Sequence, residues 1–186
     1  MAKSEDILLI ENILNGDVSA FKTLVNNYKS YVFNLVIKIV DDYEDAEEVS
    51  MDVFLNVYKS LKNFRQNSNF TTWLYRIAYN ASLNKLKSRK QNFTSFENEE
   101  IFWTEYEQYD DENEVFIIEK ALKKLNDIER TIVHLYYYED ISVKEISEIT
   151  GNSIENIKVI LYRCRKKLYD LLKDKIDEKK LIFNEI

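Results

Sequence analysis

Residues 64–90 have the sequence FRQNSNFTTWLYRIAYNASLNKLKSRK, which begins as a polar loop and continues as a long helix. From residue 70 to residue 92 this stretch contains no acid, and its basic side chains are Arg76, Lys85, Lys87, Arg89 and Lys90. The whole chain, in contrast, has a formal net charge of -7. A basic helix inside an acidic protein indicates a specific polyanionic partner.

The composition predicts a protein that is almost entirely helical. The chain has 186 residues, no proline and only two glycines, Gly16 and Gly151, so helix breakers are scarce. Its single cysteine, Cys164, excludes an internal disulfide or a multi-cysteine metal site. The first residues are acidic where a signal peptide is basic, and no apolar run approaches the roughly 18 residues of a membrane span. We therefore expect a reduced, cytoplasmic protein that does not bind membranes.

Helical periodicity predicts four helices before the acidic middle of the chain, at residues 7–14, 18–40, 42–62 and 70–90. The third carries an apolar stripe of Ala46, Val49, Val53, Val57 and Leu61. Acids lie on its other side, and no Lys or Arg occurs between residues 41 and 56. This acidic face is either simply solvated or a docking surface for a basic partner, and the missing i,i+4 ion pairs favour docking.

The fourth helix has two faces at 3.6 residues per turn. Its core stripe contains Phe70, Trp73, Leu74, Ile77, Ala78 and Ala81. The other face carries Thr72, Tyr75, Arg76, Tyr79, Asn80, Leu83, Lys87 and Lys90. Cations suit phosphates, an amide suits a base edge, and aromatic rings suit an unstacked base. The alternative is an ordinary amphipathic helix whose cations extend into solvent.

Residues 93–113 lack a helical period and are strongly acidic, which predicts a linker between two domains. Its aromatic side chains, among them Trp103 and Tyr106, either pack on a domain or enter a channel of a partner. Two helices are predicted after the linker, at residues 115–124 and 128–138. His134 lies in the second among apolar residues, which favours a structural role.

Residues 140–172 predict a helix-turn-helix. Ser142 and Glu145 form a capping box, Gly151 permits the turn, and Ser153 caps the second helix. Cys164 falls in the buried stripe of that helix, so a core thiol is expected. The opposite side offers early residues to base edges and later cations to phosphates, although many helical proteins contain a similar pair of helices. No nucleophile–base pair, phosphate-binding glycine loop or metal cluster is present, so we expect no catalytic residue, metal or cofactor.

Four blocks together resemble the extracytoplasmic-function type sigma factors of the bacterial seventy-kilodalton sigma family. The first is GDVSAFKTLVNNYKSYVFNLV, the second DDYEDAEEVSMDVFLNVYKSLKNF, and the third FTTWLYRIAYNASLNKLKSRK. The fourth is LNDIERTIVHLYYYEDISVKEISEITGNSIENIKVILYRCRKKL. The chain departs from the family pattern at Met51 and Asp52, at Asn84, at Asn126 and at Ile160.

The resemblance implies a role for each exposed face. The third helix would dock on the clamp helices of the largest subunit of core RNA polymerase through Asp45, Glu48, Asp52 and Phe54. The loop before residue 70 and the fourth helix would bind the minus-ten promoter element through Thr72, Arg76, Tyr79, Asn80, Leu83 and Lys87. The last helix would bind the minus-thirty-five element through Ser153, Glu155, Asn156, Lys158, Val159, Tyr162, Arg163, Arg165 and Lys166. An anti-sigma partner is common in the family.

The predicted organisation is therefore all-α, with two small helical domains joined by an acidic linker. The N-terminal sigma domain spans residues 1–92, the linker 93–113, the helix-turn-helix domain 114–176 and a tail 177–186. The predicted function is that of an alternative sigma factor that binds core RNA polymerase and promoter DNA. The first alternative is a stand-alone helix-turn-helix regulator, which leaves the acidic face and the basic helix without a purpose. The second alternative is a module that binds only protein.

Overall fold

The structure is a computed structural model that describes residues 2–66, 68–93 and 114–183, with side chains over residues 5–66, 68–89 and 117–173. The described helices are α1 (Ala2–Leu14), α2 (Val18–Val40), α3 (Tyr43–Ser60), α4 (Phe70–Phe93), α5 (Glu114–Leu122), α6 (Asp127–Tyr137), α7 (Val143–Thr150) and α8 (Ile154–Phe183). These ranges contain no strand, which confirms the all-α prediction. No helix within them combines the length and apolarity needed to cross a membrane. Most of the predicted linker, residues 94–113, lies outside the described residues.

Aspartate residues lie at the helix boundaries around α2 and at the start of α3. Asp17 accepts hydrogen bonds from the backbone N–H groups of Ser19 and Ala20 at 2.8 and 3.2 Å, so α2 begins at Val18 as predicted. Asp41 ends the same helix in the left-handed conformation, at φ 53°. Asp42 then caps α3 by accepting a hydrogen bond from the N–H of Asp45 at 2.9 Å. The tight connection between α2 and α3 follows from these adjacent caps.

The core of the first half is formed by the apolar stripes of its helices. Leu24, Val32 and Leu35 of α2 are fully buried against Val53 of α3 and Leu74 of α4, all members of one apolar cluster. The predicted stripe of α3 is entirely buried. Burial of such side chains contributes roughly 1.5–3 kcal/mol each, so this stripe fixes which face of α3 remains exposed.

Caps also define the second half. Asn126 caps α6 and forms a full capping box with Glu129, with N–O distances of 2.9 and 3.1 Å. This box was not predicted, although the spacing Asn-x-x-Glu contains its signal. The predicted box of Ser142 and Glu145 opens α7, and Gly151 ends it at φ 74°. The helix-turn-helix prediction is thereby confirmed.

The two halves are packed against each other. α7 lies on α4, and α6 lies on α2. Ile132, Leu135 and Ile146 of the second half belong to the same buried cluster as Leu74 and Ala78 of the first half. A smaller cluster, formed by Leu125, Val133 and Cys164, lies within the second half. The predicted linker therefore connects two helical units that share one apolar core.

Candidate nucleic-acid interface

The acidic side of α3 is paired with the basic end of α4. Lys85 Nζ lies 3.1 Å from Asp45 Oδ1 and 2.6 Å from Glu48 Oε2. Arg89 Nε lies 2.8 Å from Asp45 Oδ2, and Arg89 Nη2 lies 3.1 Å from Asp42 Oδ2. The acids of α3 have no i,i+4 partner in the sequence of that helix, but Asp45 and Glu48 are paired with basic residues of α4 instead.

Two pKa shifts follow from this network. The hydrogen bond to Glu48 raises the pKa of Lys85, with a further contribution from Asp45. The pKa of Asp42 is lowered, chiefly because its carboxylate accepts the backbone N–H of Asp45 and secondarily because Arg89 is near. Both shifts favour the charged forms, so the network persists at neutral pH. Lys85 and Arg89 therefore join α4 to α3 through ion pairs.

Arg89→Ala is expected to lower the free energy of unfolding by about 1–2 kcal/mol, because hydrogen bonds to charged groups contribute more than neutral ones. Arg89 also donates from Nη1 to the carbonyl of Val40 at 3.0 Å, so the substitution releases α4 from α2 and α3 together. Lys87→Ala, at an exposed position two residues earlier, is the matched control and should change stability by less than about 0.5 kcal/mol. Urea denaturation measures both, and equal effects would contradict the structural role of Arg89.

The exposed side of α3 combines acids with large apolar side chains. Met51 is 70% exposed and Leu55 is 56% exposed, one helical turn apart. Glu48 and Asp52 lie at the same surface, whereas Phe54 is half-buried and packs on the core. The docking residues implied by the family resemblance include neither Met51, which the sequence marks only as a departure from the family pattern, nor Leu55. Both fall outside the buried stripe of Val49 and Val53. An apolar pair of this kind on an otherwise packed helix is typical of a protein-binding surface.

The predicted nucleic-acid face of α4 divides into exposed and buried positions. Arg76, Asn80 and Lys87 are exposed, and Leu83 is half-buried. Thr72 is only 3% exposed and Tyr79 only 4%. Tyr75 is also buried, so the interpretation that both tyrosine rings lie on an open face is wrong. Because other helices pack on two sides of α4, more of its side chains are buried than its apolar stripe alone predicts.

The first turn of α4 is covered by α7. Glu145 Oε1 accepts hydrogen bonds from Asn69 Nδ2 at 3.0 Å and from Thr72 Oγ1 at 3.3 Å. The same carboxylate accepts the hydroxyl of Ser142 at 2.7 Å within the capping box. These bonds, with that from Ser142 contributing most, lower the pKa of Glu145. Beside this contact is a cavity of about 320 Å³ lined by Ser68, Thr72, Trp73, Arg76 and Glu148.

A second set of polar contacts joins the halves near the end of α6. Tyr75 donates its hydroxyl to Glu139 Oε2 at 2.8 Å, and His134 Nε2 lies 3.4 Å from the other oxygen of that carboxylate. Burial raises the pKa of Tyr75, and the bond to Glu139 adds to the shift. Arg130 Nε donates to the carbonyl of Lys38 at 2.9 Å and so ties α6 to the end of α2.

The buried His134 makes stability depend on pH. Burial lowers its pKa below the ordinary 6.5 despite the nearby Glu139, so the unfolded chain binds the proton more tightly than the folded protein does. The stabilisation is present above pH 6.5 and is lost as the pH falls through the folded-state pKa, by at most about 1.4 kcal/mol per pH unit. Urea denaturation between pH 7.5 and 5.0 should show a shallower loss in His134→Gln than in the wild type. A wild-type protein that gains stability on acidification would contradict this sign.

The helix-turn-helix presents a continuous exposed surface on α8. Ser153 Oγ accepts the N–H of Asn156 at 3.2 Å, and Ser147 donates its hydroxyl to the carbonyl of Asn152 at 2.6 Å, which fixes the turn. His134 and Cys164 are buried, as predicted for structural residues. All nine predicted side chains are exposed: Ser153, Glu155, Asn156, Lys158, Val159, Tyr162, Arg163, Arg165 and Lys166.

These features define an all-α nucleic-acid-binding protein with a helix-turn-helix. Its residues 24–92 match the family model of sigma-70 region 2, and residues 121–170 match that of sigma-70 region 4. Within the described part of the chain, no three His, Cys, Asp or Glu side chains are grouped as a metal site would require.

Curated relatives agree with both matches. The chain is 28% identical over 180 residues to the ECF RNA polymerase sigma factor SigW of Bacillus subtilis, covering 89% of this chain and 95% of that protein. It is also 28% identical over 180 residues to the RNA polymerase sigma-H factor of Pseudomonas aeruginosa, covering 89% and 93%.

Solved structures share the fold. The sigma factor RpoE from Bartonella quintana, solved in complex with the anti-sigma factor NepR, gives a TM-score of 0.68 at 23% identity. That comparison covers 84% of this chain and 98% of the other. CnrH, solved with the cytosolic domain of CnrY, gives 0.65 at 20% identity and covers 91% and 98%.

The chain belongs to the sigma-70 family, in its extracytoplasmic-function group. It is an alternative sigma factor, which directs RNA polymerase to promoters. Proteins of this family are transcription initiation factors and not enzymes.

Proposed function

We propose that α3 is the surface through which this sigma factor docks on the clamp helices of the largest polymerase subunit. The observation that carries this assignment is the exposed pair Met51 and Leu55, flanked by the acids Glu48 and Asp52. Apolar anchors within a charged surface give a partner both buried area and orientation. Asp45 contributes indirectly, because it holds Lys85 and Arg89 against α3.

The promoter contacts are divided between two helices in this proposal. Arg76, Asn80, Leu83 and Lys87 of α4, together with Thr72, bind the minus-ten element. An exposed amide beside exposed cations supports this assignment, because it pairs base contact with phosphate contact. Tyr79 is a core residue that supports the face from beneath. The exposed side of α8 enters the major groove at the minus-thirty-five element.

The chain carries out no catalytic step of its own, and it acts in the cytoplasm, where core polymerase and the chromosome are found. The two promoter-binding units are residues 1–92 and 114–176, connected by residues 93–113. An anti-sigma factor is a further proposed partner, since RpoE and CnrH were each solved with a bound protein and the first of these is named an anti-sigma factor.

Run-off transcription on genomic fragments tests the proposed function. Bacterial core polymerase with this protein is expected to start transcripts at a small set of shared promoter sequences, whereas core polymerase alone should not. The pure protein should bind closed duplex promoter DNA weakly. Tight sequence-specific binding to duplex without polymerase, combined with no specific transcript, would instead favour the stand-alone regulator.

A further inference from the structure

A cavity of about 470 Å³ lies where the end of α2 meets α5 and α6. Its described lining residues belong to these three helices and to the residues that follow them, and none is a residue proposed above to contact polymerase or DNA. Small-molecule sites in proteins typically have volumes of about 300–1,000 Å³. The cavity is therefore of a size that accepts an organic molecule.

Apolar and aromatic side chains form much of the cavity wall. Ile118 and Leu122 lie one turn apart on α5, and Val133 of α6 is buried behind them in the lining. The ring of His134 stacks on that of Tyr138, with ring centroids 5.3 Å apart and an interplanar angle of 22°. Because aromatic rings favour offset stacking, this pair offers a flat wall to a further flat ring.

Three cations line the same cavity against two carboxylates, those of Asp41 and Glu119. Lys38 Nζ lies 4.0 Å from Glu119 Oε1, at the outer limit of an ion pair. Arg130 is held in place by the bond from its Nε to the carbonyl of Lys38. Lys123 is exposed and has no ion pair within the described part of the chain. The excess positive charge attracts an anionic group, and Lys123 is available to pair with it.

His134 contributes its ring to the cavity and not a charge. Burial lowers the pKa of His134, and the charge of Lys38 adds to this effect against that of Glu139, so the imidazole is neutral at neutral pH. The aromatic wall is therefore uncharged where the body of a ligand would lie. The positive charge of the cavity lies on Lys38, Lys123 and Arg130 alone.

We propose that this cavity binds a small organic anion with a flat, apolar body. The body packs on the stacked rings of His134 and Tyr138 and on Ile118 and Leu122, and the acidic group pairs with Lys123. An inorganic anion would leave the apolar wall in contact with water, and an organic cation would meet the excess positive charge. The proposal does not depend on the roles given above to α3, α4 and α8.

Two dyes of the same shape test the ligand class on the full chain. Anilinonaphthalene sulfonate is a flat apolar anion, and phenylnaphthylamine has the same aromatic body without the sulfonate. Fluorescence titration and calorimetry should show one sulfonate dye per chain with a Kd below about 100 μM, and binding of the neutral dye about fivefold weaker. Binding of the sulfonate dye that does not saturate below about 1 mM, or equal affinity for both dyes, would overturn the proposal.

The position of the acidic group is tested with two neighbouring lysines. Lys123→Ala should weaken binding of the sulfonate dye about fivefold, the effect of one exposed ion pair, and should leave binding of the neutral dye unchanged. Lys124 is also exposed but does not line the cavity, so Lys124→Ala should leave binding of both dyes unchanged. Equal losses from the two variants would place the sulfonate elsewhere on the protein and overturn the proposal.

The position of the apolar body is tested with two isoleucines of similar exposure. Ile118, which lines the cavity, is 42% exposed, and Ile128, which does not, is 45% exposed. Ile118→Asp places a carboxylate on the apolar wall and should weaken binding of the sulfonate dye about tenfold or more, whereas Ile128→Asp should change it less than about twofold. Both positions are exposed, so urea denaturation should show similar stabilities. Unchanged binding in Ile118→Asp would overturn the proposal.

Discussion

Introducing aspartate at both Met51 and Leu55 is expected to reduce core polymerase affinity by a hundredfold or more. Buried apolar anchors in protein interfaces each contribute about 2 kcal/mol or more, and a carboxylate at each site adds an unpaired buried charge. Met51 and Leu55 extend into solvent in the free protein, so folding should be little affected. Polymerase binding is measured by fluorescence anisotropy of labelled sigma factor.

The matched control for this variant is Leu8→Asp on α1, where an apolar side chain is 59% exposed outside the proposed docking surface. It also places a carboxylate at an exposed apolar position, and it should leave polymerase affinity within about twofold of the wild type. Urea denaturation of both variants shows whether the folds are equally stable. If the double variant binds polymerase normally, α3 is not the docking surface, whatever the family resemblance implies.

The sequence of α3 predicts its buried face but not its ion pairs. The apolar period located the buried stripe of Val49 and Val53, and it therefore located the opposite face correctly. It could not show that Lys85 and Arg89 approach from α4, because ion pairs between helices depend on how the helices cross. Charge reversal at Asp45 would break the ion pairs that join α3 to α4, so a loss of polymerase binding in that variant would not separate docking from folding.

Contacts between distant parts of the chain also explain why Tyr75 and Tyr79 of α4 are buried, although the sequence placed them on an exposed face. A single helical wheel assigns each residue one angle and one face, which placed Tyr75 and Tyr79 beside Asn80. The packing of α7 on α4 and the bond from Tyr75 to Glu139 depend on contacts more than 60 residues apart in the chain. Signals that act between neighbouring residues were predicted correctly: the capping box of Ser142 and the turn at Gly151 lie where the sequence predicted them.

Lys158→Ala in α8 is expected to reduce the affinity of the holoenzyme for its promoter and to relax specificity at the minus-thirty-five element. Lys158 lies in the second turn of the recognition helix, where side chains reach base edges, and one such contact contributes about 1–3 kcal/mol of discrimination. Binding is measured by titrating holoenzyme against the promoter and against versions with single minus-thirty-five substitutions. The variant should distinguish one of these substitutions roughly tenfold less well than the wild type does.

Lys166→Ala is the matched comparison, because it removes the same charge from the same helix two turns later. A lysine that contacts only phosphate should weaken binding uniformly across all promoter versions and reduce the slope of log affinity against log salt by about 0.9. Both lysines are exposed, so neither substitution should change stability appreciably. If instead Lys166→Ala loses specificity and Lys158→Ala weakens binding uniformly, the orientation proposed for α8 in the groove is the wrong way round. Equal, uniform effects from both would mean that α8 contributes only phosphate contacts, leaving the minus-thirty-five sequence to be recognised through the neutral side chains Val159 and Tyr162 or through the shape of the DNA.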